Sequence, residues 1–396
     1  MTPSLALQQL PLPLLDKLLA AHTDLWRPQP FREPRPAWCD HFPDLARELL
    51  ALDDGEVARL EQDGAALTTL LARHVPAVVE LAALAGLPQR VAVQTPGATA
   101  HVQWEIPGRK WAQIEAFAHA VGEARGPLLE WCGGKGHLGR LLALRHGVTV
   151  GTLERDAALC ADGEWLAGRA GVGQDFMVED ALSTRAAALL PGRHVVALHA
   201  CGDLHRSLVR NGIAAGAAAL DIAPCCYYHM ADKLYRPWSA GARLELTRED
   251  LRLAVTETVT APPRETRQRE LERAWKLGFD RLRREVSGED RYVSFKPTPK
   301  QWLSLGFRGF CEALAARQGL ALPVHVDWRR LEEEGLARLG EVKRLSLPRH
   351  AFRRPLEVWL VLDLAAYLAE HGYRVEVGTF CPRAVTPRNI LLSARL

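Results

Sequence analysis

The chain has 396 residues, 48% of them hydrophobic and 24% charged, which is ordinary for a globular protein of roughly two domains. The net charge of +3 does not by itself indicate a nucleic-acid-binding protein, and no apolar run approaches the roughly 18 residues of a membrane span. We expect no signal peptide, no membrane association and, since the eight cysteines lack the spacing of a secreted disulfide framework, a cytoplasmic protein.

Residues 1–98 carry apolar side chains at spacings of three and four, which predicts a mainly helical N-terminal domain. The proline-rich stretch "WRPQPFREPRPAWCDHFP" (26–43) interrupts this pattern and cannot form a regular helix. It is either a connector packed by its tryptophans or an arm that faces the substrate.

From about residue 127, short apolar runs alternate with helical segments. Five strands are predicted, around "PLLEWC", "VTVGTLERD", "QDFMVEDAL", "HVVALHACGD" and "AAALDIAPCC". A closing helix is followed by "YRVEVGTF" and "NILLSARL", which are close enough in sequence to form a hairpin. This order predicts an α/β fold with a Rossmann-like, mostly parallel sheet and a C-terminal antiparallel hairpin. We assign its core to residues 99–229 and 351–396.

Residues 230–350 interrupt the sheet pattern and predict a basic helical insert. Within 262–309, twelve lysines and arginines outnumber seven acidic residues. Aromatic residues are interleaved with these bases, namely Trp275, Trp302, Phe307 and Phe310. The stretch is either a solvated helix face or a substrate-recognition surface, and bases with stacking aromatics favour RNA as the partner.

A glycine-rich turn follows the first predicted strand in "LLEWCGGKGHLGR" (128–140), which reads E-x-C-x-G-x-G. Glycines allow a tight turn and a close approach of the backbone to a ligand. The usual nucleotide-binding fingerprint has glycine where Cys132 stands. An acid at Glu130 repels a pyrophosphate but can engage a cationic ligand, directly or through water.

Two further carboxylates end the next strands. Glu154 lies 20 residues after Gly134, where a carboxylate accepts hydrogen bonds from a ribose diol, and Asp180 is placed to meet an adenine amino group. Each acid alone could be a helix cap or a surface residue. Together, and with a cationic ligand preferred beside Glu130, they favour S-adenosylmethionine, whose sulfonium and ammonium groups are positive.

The motifs "EWCGGKGHLGR", "ALHACGDLH", "APCCYYH" and "TPRNILL" resemble class I S-adenosylmethionine-dependent methyltransferases of the methyltransferase-like-25 type. More distantly, they are similar to the tRNA acceptor-stem 2′-O-methyltransferases. "IPGRKWAQIEAF" (106–117) looks like the lysine-containing start of a helix in that group. The resemblance covers about 99–230 and 355–396, and Cys132 departs from its common pattern. The expected cofactor-binding residues are Glu130, Cys132, Gly133, Gly134, Gly136, His137, Leu138, Glu154, Arg155, Asp180, Ala181 and His199.

Catalytic candidates follow the fourth and fifth predicted strands. His199 is expected beside the adenosine, and Asp203 or His229 would accept or orient a proton. Lys110 would cross the mouth of the pocket, and Cys226 would contact the acceptor. Each of these residues also has a purely structural interpretation, as a buried or surface side chain.

The cysteines raise the question of a metal. Cys201, Cys225, Cys226 and His229 could supply four ligands, but adjacent residues of a strand face opposite sides, so no metal is predicted. A vicinal disulfide is not expected in cytosol, whereas a methylated cysteine intermediate stays open. The predicted protein methylates a hydroxyl or ring nitrogen of structured RNA, tRNA or rRNA. The alternatives are a protein or small-molecule acceptor, or a non-catalytic cofactor- or RNA-binding module; the oligomeric state is not predicted.

Overall fold

A computed structural model describes residues 11–90, 103–256 and 262–396 of the chain. The chain divides into two compact units. The first comprises Met1–Ala21, Glu80–Val259 and Phe352–Leu396, and the second comprises His22–Val79 and Thr260–Ala351. None of the helices in the described part of the chain is both long and apolar enough to cross a bilayer.

The first unit is built on a seven-stranded sheet. The strands of the chain are β1 (Leu128–Trp131), β2 (Val150–Glu154), β3 (Gln174–Val178), β4 (His194–Cys201), β5 (Ala219–Cys225), β6 (Leu234–Tyr235), β7 (Leu246–Thr247), β8 (Arg374–Thr379) and β9 (Ile390–Arg395). The sheet order is β3-β2-β1-β4-β5-β9-β8, and β6 and β7 form a separate antiparallel pair. The first five strands are parallel, while β9 runs antiparallel to both β5 and β8. The predicted Rossmann-like sheet with its terminal hairpin is confirmed.

The described part of the chain also forms helices, which are divided between the two units. They are α1 (Leu12–Ala21), α2 (Thr23–Trp26), α3 (Trp38–His41), α4 (Pro43–Ala51), α5 (Asp54–Gln62), α6 (Gly64–Ala72), α7 (Ala77–Leu84), α8 (Gly108–Val121), α9 (His137–His146), α10 (Ala157–Ala170), α11 (Thr184–Ala187), α12 (Asp203–Ala215), α13 (Arg248–Leu253), α14 (Pro263–Ser287), α15 (Gly306–Gln318), α16 (Trp328–Ala351) and α17 (Arg353–Glu370). A 3₁₀ helix spans Lys300–Leu305. The central strands β1 and β5 are buried along their whole length, as expected for a parallel sheet covered on both faces.

A buried polar network joins β4, β5 and β9. Nδ1 of His194 accepts the backbone N–H of Arg125 (3.3 Å), so Nε2 carries the proton and donates it to Asp221 (2.6 Å). Asp221 also accepts from Ser393 and from Arg395. Burial opposes ionisation of Asp221, but these partners hold its pKa below the usual value. His194 and Asp221 are fully buried, so this Ser–His–Asp grouping stabilises the sheet and cannot meet a substrate.

The second unit is helical, and its aromatic residues form its core. Trp275, Phe307 and Phe310 are at most 5% exposed and pack together with Leu331. The aromatic residues of the basic stretch were predicted to stack on RNA bases. For these three the prediction is wrong, since burying their large apolar rings stabilises α14 against α15 and α16.

The unit boundaries differ from the predicted domains. Residues 22–79 pack with 260–351 because α2, α4, α5 and α6 contact α16, and these pairings between distant segments leave no local signal. The segment 230–256 belongs to the first unit, where β6, β7 and α13 extend the sheet domain. The predicted boundary at 98/99 lies outside the described residues.

Candidate active site

An open cavity of about 540 Å³ lies at the carboxyl ends of the parallel strands. Open α/β sheets bind their ligands at this edge, and the volume is typical of a small-molecule site. Residues that follow each of β1 to β5 line the cavity. They are Cys132, Leu153, Glu154, Arg155, Glu179, Asp180, Ala181, Leu182, Cys201, Asp203, Leu204, Tyr228, His229, Met230, Ala231 and, from the start of α13, Arg248.

The backbone conformation of the turn between β1 and α9 shows why this segment is rich in glycine. Gly134 and Gly136 have φ of 58° and 64°, in the left-handed region, and Cys132 adopts the same region with φ of 57°. Thus Cys132 takes a glycine-like backbone conformation at some strain. A Cβ on Gly133 would lie 2.6 Å from the carboxyl carbon of Glu130, so the turn sits directly on that side chain.

Glu130 lies beneath the turn and does not line the cavity. Its carboxylate accepts the hydroxyl proton of Thr152 (3.0 Å) and the backbone N–H groups of Leu138 and Gly139. The side chain is 4% exposed, and this burial raises its pKa to about 7. The structure therefore places Glu130 as a support of the turn and of the start of α9. Its contact with a cationic ligand, directly or through water, stays a prediction.

His137 and Leu138, in the first turn of α9, are also buried behind the turn. Arg140 donates to Nδ1 of His137 (2.5 Å) and to the carbonyl of Lys135 (3.2 Å). Burial and the Arg140 charge lower the pKa of His137 to about 3. His137 is therefore a neutral side chain that fixes the turn through Arg140, outside the cavity.

Glu154 ties the end of β2 to the glycine-rich turn. Its carboxylate accepts N–H groups from Gly134 (3.0 Å), Arg155 (2.9 Å) and Asp156 (3.1 Å). These donors hold the carboxylate at the cavity wall. Asp180 lies on the same wall and accepts the N–H of Leu182 (2.9 Å), which fixes its turn after β3.

The segments after β4 and β5 are locked together through their backbones. Gly202 N–H donates to the carbonyl of Cys225 (3.1 Å), and Asp203 N–H donates to that of His229 (2.9 Å). The Asp203 carboxylate in turn accepts the N–H of Ala231 (2.7 Å). A Cβ on Gly202 would overlap the carbonyl oxygen of His229, so only glycine fits there. The predicted pair Asp203 and His229 is thus brought together at the cavity, with Asp203 engaged by the backbone.

His199 lies beside the cavity, at a β-bulge where the pairing of β4 with β5 shifts between Leu198 and Cys201. Gln113 donates its amide N–H to the carbonyl of Val385 (3.3 Å), so its oxygen faces His199 and accepts from Nε2 (2.9 Å). The proton therefore resides on Nε2, and Nδ1 of His199 is a lone-pair acceptor. Burial is the main cause that lowers the pKa of His199.

Lys110 is exposed in the first turn of α8 and does not line the cavity. Its positive charge contributes to the lowered pKa of both His137 and His199, which places it near them. The predicted position of Lys110 across the pocket mouth stays a prediction.

Three thiols converge where β4 and β5 end. The Sγ atoms of Cys201, Cys225 and Cys226 all lie within 4.8 Å of one another, and those of Cys201 and Cys225 are 3.2 Å apart. Alternation along a strand predicted that Cys225 and Cys226 face opposite sides. That expectation is wrong because β5 ends at Cys225 and Cys226 has a left-handed φ of 44°, which turns its side chain back.

The predicted site residues thus fall into two groups. Those that line the cavity are Cys132, Glu154, Arg155, Asp180, Ala181, Asp203 and His229. Those that lie behind or beside it are Glu130, Gly133, Gly134, Gly136, His137, Leu138, His199, Cys226 and Lys110. Sequence reasoning missed Tyr228, Arg248 and Gln113. The motif "APCCYYHM" already contained Tyr228, whereas the other two depend on packing that no local pattern signals.

The part of the chain that forms most of this site matches a known protein family. Residues 109–233, about a third of the chain, match a family described as a methyltransferase domain. No curated protein sequence matches the chain. The matched segment contains β1 to β5 and every residue of the cavity wall except Arg248.

The chain was also matched to solved structures that share little of its sequence. Magnesium protoporphyrin IX methyltransferase from Synechocystis PCC 6803 is 15% identical over 37% of this chain and 65% of its own, with a TM-score of 0.25. An rRNA methylase from Streptococcus thermophilus is 11% identical over 35% of this chain and 93% of its own, with a TM-score of 0.24. The glycopeptide N-methyltransferase MtfA is 19% identical over 39% of this chain and 70% of its own, with a TM-score of 0.23.

The match over residues 109–233 agrees with the predicted S-adenosylmethionine-dependent methyltransferase. The residues present fit S-adenosylmethionine. Glu154 and Asp180 place two carboxylates on the cavity wall, and such groups accept hydrogen bonds from ribose hydroxyls and from an adenine amino group. The space above Gly134 is open, since an added Cβ there meets no atom within 4 Å.

Replacing Glu154 with alanine tests this fit. We expect Glu154→Ala to weaken S-adenosylmethionine binding by about 1–3 kcal/mol, because bound hydroxyls and three backbone N–H groups lose their acceptor. Isothermal calorimetry measures the change. Glu164→Ala, on the exposed face of α10, is the matched control and should bind as the wild type does. An unchanged affinity in Glu154→Ala would remove the ribose assignment.

Proposed function

We propose that this methyltransferase domain transfers a methyl group from S-adenosylmethionine to structured RNA, tRNA or rRNA, at a hydroxyl or ring nitrogen. The observation that carries the proposal is the cavity at the carboxyl ends of β1 to β5, with acids from two strands on one side and the joined β4 and β5 segments on the other. When bound, S-adenosylmethionine supplies the electrophilic methyl group.

Glu154, Asp180 and the turn 132–136 would hold the cofactor in this cavity. Each is fixed by backbone hydrogen bonds or by a buried partner, so the binding surface is formed before the cofactor arrives. Methyl transfer is an in-line displacement that depends chiefly on alignment, and a preformed wall contributes directly to that alignment. Tyr228 and His229, whose ring centroids lie 4.4 Å apart with the rings tilted by 39°, would form the acceptor side.

His199 is the proton acceptor in this proposal. Its Nε2–H is committed to Gln113, which leaves the Nδ1 lone pair for the proton that an acceptor hydroxyl or ring nitrogen loses. The Cys226 thiol and Lys110 lie in its electrostatic surroundings. Asp203 and His229 act instead in holding the β4 and β5 segments in place.

RNA as the acceptor rests on the surface charge of the second unit. Many of its exposed arginines are paired with glutamates one helical turn away, including Arg269, Arg308 and Arg329. Within the described ranges, Arg264, Arg267, Lys296 and Lys300 are exposed and have no ion pair. Since Trp275, Phe307 and Phe310 are buried in the core, these unpaired cations are the feature that supports binding to a phosphate backbone.

Neutralising two of these cations tests the RNA assignment. For Arg264→Ala/Arg267→Ala, we expect tRNA or rRNA binding to weaken and the slope of log K against log salt to fall by about 1.5, because two phosphate contacts are lost. Binding is measured by filter retention at several salt concentrations. The control, Arg308→Ala/Arg329→Ala, removes two exposed but ion-paired arginines and should change the slope less.

One result would count against RNA, and another would count against this set of cations. Wild-type protein that binds RNA without salt dependence, or not at all, contradicts an RNA substrate. Equal losses in both double variants would show that net charge alone, and not this set of unpaired cations, drives the binding.

The role of His199 is tested by His199→Asn, since asparagine tolerates a left-handed backbone. We expect the rate of methyl transfer to fall about 10²–10⁴-fold, because the proton acceptor is lost. The affinity for S-adenosylmethionine should change little, since the proposed role of His199 is to accept a proton from the methyl acceptor and not to bind the cofactor. His371→Asn, exposed at the end of α17, is the control. A variant with weakened cofactor binding and a normal rate at saturation would assign His199 to the cofactor instead.

A further inference from the structure

We propose that Cys201, Cys225 and Cys226 bind one soft divalent cation of the zinc type through three thiolates. This site goes beyond the methyltransferase assignment and does not depend on which acceptor the enzyme uses. It is carried by the convergence of the three sulfurs at the ends of β4 and β5.

The spacing of the sulfurs fits a single ion. Zinc–thiolate bonds of about 2.3 Å in a tetrahedron place neighbouring sulfurs about 3.8 Å apart. Here the three Sγ atoms lie within 4.8 Å of one another, and the Cys201–Cys225 pair is at 3.2 Å. Side-chain adjustments of less than an ångström or so would bring all three to bonding distance, and each thiol would lose its proton to solvent.

The backbone holds the three cysteines in place. Cys201 and Cys225 are register partners in neighbouring strands, and the carbonyl of Cys225 accepts the N–H of Gly202 (3.1 Å). The left-handed φ of Cys226 turns its thiol toward the other two, and its carbonyl accepts the N–H of His229 (2.9 Å). Strained conformations cluster at functional sites. A metal ion bound by the Cys226 sulfur would account for the strain at this residue.

The exposure of Cys201 and Cys226 distinguishes them from the packing cysteines, whereas Cys225 is buried. Cys39, Cys160, Cys311 and Cys381 are each buried, as is common for a cysteine used as a small apolar side chain. Cys201 and Cys226 are only partly buried, and Cys201 lines the cavity. An ion therefore has a route to the cluster from the cavity.

Three protein ligands leave a fourth position for water or substrate, which is the ligand count of catalytic rather than structural zinc sites. The position would lie toward Cys201 and the cavity. Soft thiolate ligands favour zinc over magnesium or calcium, which take oxygen ligands.

Cobalt is the probe for this site because its thiolate complexes absorb light. Reduced, metal-stripped full-length protein is titrated with Co²⁺, and then Zn²⁺ is added to displace it. We expect one equivalent of Co²⁺ to produce a thiolate charge-transfer band that Zn²⁺ abolishes. Cys226→Ser and Cys201→Ser should each weaken binding about 100-fold or more, a larger loss than that caused by removing an outer-shell partner.

Cys39→Ala, in the second unit, is the control and should keep the band. Circular dichroism of each variant shows whether it is folded, and a competition of wild-type protein against a chromophoric chelator measures affinity without any substitution. No charge-transfer band in folded wild-type protein, or a band that persists in both serine variants, overturns the proposal. So does a Cys201–Cys225 disulfide that forms while the reduced protein fails to bind Co²⁺.

Discussion

The close approach of Gly202 to the carbonyl of His229 is the constraint on which the site depends. It joins the segment after β4 to the segment after β5, because a side chain at residue 202 would occupy the position of that carbonyl oxygen. The N–H groups of Gly202 and Asp203 then donate across the junction, and the Asp203 carboxylate accepts the N–H of Ala231. His229, Tyr228 and the three thiols take their positions from this junction. Without it, one wall of the cavity would be two independent loops.

Backbone strain is concentrated at the same edge of the sheet. Four residues other than glycine have a positive φ in the described ranges. Three of them lie at this edge: Cys132 follows β1, His199 lies near the end of β4, and Cys226 follows β5. Such conformations cost free energy and persist where surrounding structure fixes them. Here the buried Glu130 carboxylate supports the turn that contains Cys132, and Gln113 of α8 binds His199. The backbone junction between the start of α12 and the segment after β5 fixes Cys226. The strain thus marks the cavity edge independently of its volume.

The sheet was predictable because its signals are local. Apolar runs marked the strands, the terminal pair of runs marked the hairpin, and strand ends placed Glu154 and Asp180 at one edge. Three features were not predictable for physical reasons. Trp275 and Phe310 looked like stacking residues because the sequence does not say which face of α14 or α15 meets a neighbour. The position of the Cys226 thiol beside those of Cys201 and Cys225 depends on one φ angle. Arg248 and Gln113 reach the site through packing of elements distant in sequence.

Transfer of a labelled methyl group tests most directly the proposal that RNA is the acceptor. Protein is incubated with S-adenosylmethionine labelled in its methyl group and with total RNA from cells that lack this protein, and the RNA is digested for nucleoside mass analysis. We expect label in one modified nucleoside from tRNA or rRNA, and much less of it when Glu154→Ala replaces the wild type at a cofactor concentration below saturation. Label only in protein or small molecules, with none in RNA, would contradict it.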